Sequence, residues 1–94
     1  MSQGASALWS VDIWRSGSGL ECCVADTRSG AIVVSRPLKS LTASSIVEVL
    51  DGAIREPGLP WGIATDCSRV FSSQEFSGFL WRQGIIHQVS PAGL

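Results

Sequence analysis

The chain is short of charge. Only 16% of its 94 residues are Asp, Glu, Lys or Arg, against roughly 25% in an average globular domain. Nor is there a basic surplus: the formal net charge is −1 and the isoelectric point is near 5.6. Proteins that grip nucleic acid without sequence preference use a basic surface that releases counterions from phosphates. DNA contact by this chain therefore depends on the local placement of Arg15, Arg28, Arg36, Lys39, Arg55, Arg69 and Arg82, and is expected to be weak or absent without help. Cysteine is sparse too. Cys22, Cys23 and Cys67 form no disulfide framework and no Cys/His zinc spacing, and adjacent strand positions point to opposite faces. Three free thiols, buried as small hydrophobes in a reducing cytoplasm, are expected. The start "MSQGASALWS" has no basic-then-apolar leader pattern, and no apolar run reaches membrane-spanning length. There is no internal repeat.

What is present is apolar. Hydrophobic residues make up 45% of the chain and the mean hydropathy is +0.25. A body of this size is one domain, and with so few charges some apolar surface is left over for a partner. A homodimer, or a place in a larger assembly, is expected.

Along the chain, residues 1–6 read as a flexible tail ahead of a single domain at 7–94. "ALWSVDIW" (7–14), "LECCVADT" (20–27) and "AIVVSRPL" (31–38) read as strands, and the short turns between them predict an antiparallel meander. A helix follows from Thr42, with Ala43, Ile46, Val47, Leu50, Ala53 and Ile54 on one apolar face; "EPGLP" ends it. "WGIAT" (61–65) is a short buried strand of the parallel-sheet kind. Ser72 with Glu75 three residues later makes a capping-box pattern, which starts a second helix at Ser73. Phe76, Phe79 and Leu80 form its core face, Gly84 closes it, and "IIHQV" (85–89) is the last strand. The order β-β-β-α-β-α-β is that of an α/β mixed sheet.

That order draws attention to two acids. Asp12 lies within the first strand, and Asp66 follows the fourth directly. If those strands are neighbours, the carboxylates meet at one end of the sheet, where two hard oxygen ligands suit Mg²⁺ or Mn²⁺. The bland reading of each is a paired or capping carboxylate. Asp26 reads as a strand-end residue engaged with the turn and Arg28, and His87 as a satisfied strand histidine. Cys67, beside Arg69, reads as an inert thiol. Trp9, Trp14, Trp61 and Trp81 read as core or interface aromatics, not base-stacking platforms, because basic residues do not interleave with them.

"WSVDIW", "CVADTRSGAIVVSRPL" and "GIATDCSRVFSSQEFSGFLWRQGIIHQVSP", taken in this order and spacing, resemble the catalytic core of retroviral-integrase-type transposases. The resemblance runs from about residue 9 to residue 92. It implies an RNase H-like fold and metal-assisted phosphoryl transfer on DNA, in which three acids hold two Mg²⁺ ions. Asp12 matches the first acid and Asp66 the second. The third is a glutamate on a later helix, and the chain stops at "SPAGL" before it, so the resemblance implies a core that is truncated, incomplete at its C-terminus. Trp14 stands where the family often has Thr, and "TDCSRVF" lacks the family's common loop glycine. Glu21, Glu48 and Glu75 are poorly placed to substitute for the missing acid.

Two functions follow. In one, the chain is a mobile-element protein, non-catalytic alone, that associates with itself or with a full-length transposase. In the other, it is a Mg²⁺- or Mn²⁺-dependent DNA strand-transfer or nuclease component whose third acid comes from a partner subunit. Cytoplasmic localisation suits both.

Overall fold

A computed structural model describes residues 7–17, 19–55 and 58–90; the tail expected at 1–6 lies outside them. The elements are β1 (Leu8–Ser16), β2 (Gly19–Asp26), β3 (Ile32–Leu38), α1 (Ala43–Arg55), β4 (Gly62–Thr65), a 3-10 turn (Arg69–Ser72), α2 (Gln74–Gln83) and β5 (Ile86–Val89). They make one five-stranded sheet in the order β3-β2-β1-β4-β5. The first three strands form the expected antiparallel meander. β4 then runs parallel to β1 on its other side, and β5 parallel to β4. The element order is the one predicted.

Strand alternation decides which side is buried. Trp9, Val11 and Ile13 point to one face of β1, where Val11 lies opposite Val24 and Ile13 opposite Cys22. Both helices pack on that face. Ile46 and Leu50 of α1 and Phe76 and Leu80 of α2 share a single core with Trp9, Val24 and Ile63. The other face carries Ser10, Asp12 and Trp14 from β1 and Ala64 from β4, all partly or fully exposed. On that open face Gly62 sits between Leu8 and Ile86. A Cβ there would stand 3.1 Å from Leu8 Cδ1 and 3.2 Å from the Ile86 carbonyl oxygen, so the close lateral packing of β1, β4 and β5 needs glycine.

Several local expectations are corrected. Val49 is buried on α1, while Val47 and Ile54 are only partly so. Cys22 and Cys23 are buried free thiols, but Cys67 is exposed. The tryptophan expectation needs no correction: Trp9 is a core residue and Trp81 is 83% exposed on the surface. The capping box, however, is not formed. Ser72 ends the 3-10 turn and its hydroxyl donates to the Arg69 carbonyl. Ser73 is the cap, accepting from the Phe76 N–H at 3.2 Å. The 3-10 turn moves the helix start by one residue, which a pattern of residue types does not reveal. Ser73→Ala should cost about 1 kcal/mol of stability and Ser72→Ala only a few tenths, as read from urea midpoints. Equal costs would show that the cap is assigned to the wrong serine. At the other end, Gly84 adopts a left-handed φ of 74°, and its N–H closes the helix on the carbonyls of Leu80 and Trp81, as expected of a glycine C-cap.

Candidate functional site

The parallel pairing of β1 with β4 sets the site. Leu8 lies opposite Gly62, Trp9 opposite Ile63 and Ser10 opposite Ala64. Continued by two residues, that register brings Asp12 level with Asp66. Alternation puts Asp12 on the open face with Ser10; Asp66 stands one residue beyond the end of β4 and borders clefts lined by Ile13, Phe71 and His87. β4 ends at Thr65, so Asp66 stands just past the carboxyl end of β4, level with the middle of β1, which runs on to Ser16. From β1 the chain turns to β2 on one side and from β4 it goes on to β5 on the other, the point in strand order where open α/β sheets leave a crevice.

Asp66 is held from two directions. Its Oδ1 accepts the Ser68 N–H at 2.8 Å, which folds the chain into an Asx turn and leaves the second carboxylate oxygen uncommitted by that bond. Its backbone carbonyl accepts the hydroxyl of buried Thr65 at 2.8 Å. The same hydroxyl lies 2.7 Å from His87 Nε2. Because Thr65 gives its only proton to Asp66, His87 must donate from Nε2 to the threonine oxygen. The His87 ring stands edge-on to Phe76 at 5.3 Å, and Phe76 edge-on to Phe71 at 5.2 Å. A run of contacts thus reaches from the α2 core through β5 to the backbone of Asp66. His87 is a satisfied strand histidine, as expected; its link to Asp66 could not be read from a linear sequence that separates the two by a helix.

Burial lowers the His87 pKa from its ordinary 6.5, because desolvation disfavours the imidazolium. The sign for stability follows from linkage. Below about pH 6.5 the unfolded chain takes up a proton at His87 that the folded one resists, so ν_U exceeds ν_N and stability falls as pH falls through that window. We expect the urea midpoint to drop on acidification from pH 7 through 6 towards the lowered folded-state pKa, and His87→Gln to remove that component. A His87→Gln protein with an unchanged pH slope would sink this assignment.

The remaining acids are dispersed. Glu21 shares the open face, opposite Trp14, but its carboxylate accepts from Ser35 of β3 at 3.1 Å, on the side of β2 away from β4. Glu48 is exposed on α1, and Glu75 is exposed in the first turn of α2. Asp26 accepts the N–H groups of Arg28 and Ser29 at 2.8 and 3.2 Å, the turn role expected of it. Among the described residues no group of three or more His, Cys, Asp and Glu side chains is placed to hold a metal ion. The donors at the strand ends still fit Mg²⁺ or Mn²⁺ by chemistry. They are hard carboxylate oxygens, Asp12 is exposed and in no ion pair among the described residues, and water and phosphate oxygens complete such sites.

No protein-family model matches the sequence, and no curated protein does. Solved structures do. The catalytic core domain of BIV integrase superposes with a TM-score of 0.83 at 16% identity, over 92% of this chain and 55% of that one. A chain of the simian T-cell lymphotropic virus intasome, in complex with PP2A regulatory subunit B56 gamma, gives 0.80 at 27% identity, over 94% of this chain and 35% of that one. The HTLV-2 integrase catalytic core domain in complex with magnesium, in a trimeric form, gives 0.76 at 26% identity, over 96% and 63%. The sheet order and both helices are those of an integrase-type catalytic core, and the chain spans less than two thirds of each of these relatives.

Proposed function

We propose that this chain, which has the integrase-type catalytic-core fold, is a component of the DNA strand-transfer machinery of a mobile element, and that it binds Mg²⁺ or Mn²⁺ through Asp12 and Asp66. The observation behind this reading is the parallel register of β1 and β4, which, continued by two residues, brings Asp12 level with Asp66. The magnesium of the HTLV-2 core structure supports the choice of ion. When bound, such an ion stabilises charge on a phosphate and activates a water or a 3′-hydroxyl. The chain's own residues orient Asp66 through Ser68, Thr65 and His87 and present Asp12 beside it. Neither Glu21, Glu48 nor Glu75 stands where a third ligand is needed, so the chain does not cut DNA alone and works with a second polypeptide, either another copy of itself or a full-length transposase.

Exposed apolar side chains support association. Trp61, just before β4, and Ile86 and Val89 of β5 are each more than 40% exposed. We expect light scattering at micromolar concentration to give the mass of a dimer; a clean monomer would overturn the self-association part of the reading. For the metal, calorimetric titration with Mn²⁺ is the test, paired with a strand-cleavage assay run with and without the partner. No heat of binding would remove the metal-site reading and leave association as the function.

A further inference from the structure

We propose that the outer edge of β5 is the surface through which the chain self-associates: two copies pair their β5 strands antiparallel about a two-fold axis at Gln88, and the two sheets become one. This rests on the self-association reading above. The sheet has two edges, β3 and β5, and they differ. β3 carries the devices that keep an edge from pairing. It contains Arg36 and Pro37, and a register shift between Val24 and Ala25 disturbs the ladder beside it. β5 reads Ile-His-Gln-Val, with no proline and no Lys, Arg, Asp or Glu. Among the described residues no strand pairs with its outer side.

The parallel ladder with β4 fixes which backbone groups are left over. The Ile86 N–H donates to the Trp61 carbonyl at 3.0 Å and the Ser90 N–H to the Thr65 carbonyl at 2.9 Å. Strand amides alternate in direction, so Ile86, Gln88 and Ser90 bond inward, and the N–H and C=O groups of His87 and Val89 point outward. An antiparallel copy centred on Gln88 sets His87 of each chain opposite Val89 of the other. Each such pair exchanges two hydrogen bonds, and every outward N–H finds an acceptor. The side chains fit the same axis. Gln88 lies on the open face with Ala64 and meets its own copy as a non-hydrogen-bonded pair, the kind with the closer side chains. An amide is both donor and acceptor, so two of them bond to each other, where two lysines or two glutamates would repel. That self-complementarity selects a second copy over an unrelated strand. Val89, 48% exposed, covers the His87 of the other copy, and Ile86, 62% exposed, comes opposite Ser90. Pairing over so short a strand lies at the low end of interface sizes, so the dimer should dissociate on dilution.

The measurement is light scattering of the whole chain over a dilution series, in which the wild type should pass from dimer to monomer. Gln88→Lys and Gln88→Glu should each raise the dissociation constant about 5-fold, because like charges then face each other directly. An equimolar mixture of the two should regain the dimer, which happens only where residue 88 is set against itself. Val89→Pro removes an outward N–H and no bond to β4, and should weaken the dimer on the order of 10-fold or more. Circular dichroism shows that each variant is folded; Gln88 is exposed, so its substitutions leave the fold intact even if Val89→Pro does not. Trp81→Ala is the control, because Trp81 is 83% exposed and belongs to α2 rather than to the edge. A wild type that is monomeric throughout removes self-association and the edge with it. A dimer indifferent to Gln88→Lys and Val89→Pro, or one that Trp81→Ala dissociates as strongly, overturns the edge and leaves self-association to another surface. A Lys/Glu mixture no more associated than either variant alone overturns the two-fold pairing at Gln88.

Discussion

Asp66→Asn should lower Mn²⁺ affinity by on the order of 100-fold or more, enough to remove the calorimetric signal. The substitution is close to isosteric. The asparagine carbonyl still accepts the Ser68 N–H that shapes the turn at 2.8 Å, and Asp66 is exposed, so the fold should not respond. What disappears is one of the two negative ligands of the proposed site. A unit charge pair at about 4 Å in a surface-like dielectric of about 20 is worth roughly 4 kcal/mol, and the ion carries two charges. Even after discounting for solvent, a loss of two decades is a modest expectation. Asp12→Asn should behave alike, because neither acid has a substitute among Glu21, Glu48 and Glu75. Undiminished binding in Asp66→Asn would mean that Mn²⁺ sits elsewhere, and that Asp66 is only a turn residue.

Phe76→Ala should be the most damaging single truncation for stability near the site. The ring is fully buried, with 0% exposure, and stands against both Phe71 and His87. Removing a buried phenyl costs about 3–5 kcal/mol in lost transfer energy and cavity. A domain of this size has only about 5–14 kcal/mol in total, so the urea midpoint should fall by roughly a fifth or more. A second effect follows from position. Without Phe76 the His87 ring loses the wall that sets its orientation, and the Thr65 hydroxyl loses a fixed donor behind Asp66. Mn²⁺ affinity of the folded fraction should therefore fall as well, whereas Phe76→Leu, which restores most of the volume, should cost less than about 1.5 kcal/mol. A Phe76→Ala protein with an unchanged midpoint would contradict the core described above.

Most of the architecture was legible because it is written in local periodicity. The period of two in "WSVDIW" marks one buried face of β1, and the three/four spacing of Ile46, Leu50 and Ala53 marks the face of α1. Short turns made the first three strands antiparallel neighbours, and a helix between β3 and β4 allowed β4 to run parallel to β1. Asp12 and Asp66 stood out as acids within and directly behind otherwise apolar strand segments. What misled the reading was chemistry between segments. Ser72 and Glu75 have the residue types of a capping box, but the 3-10 turn makes Ser73 the cap. That β5 stands at an edge of the sheet follows from the strand order, which its own residues do not state.

The sequence by itself determined the shortage of charge, which is a matter of composition, and the element order, the apolar core faces and the two candidate acids, each a property of a few consecutive residues. Tertiary structure alone decided that β1 and β4 share a register carrying Asp12 onto the level of Asp66, and that His87 reaches Asp66 through Thr65. Those are contacts between residues far apart in the chain. They are set by how the sheet closes and where each strand stops, which no local pattern of side chains encodes.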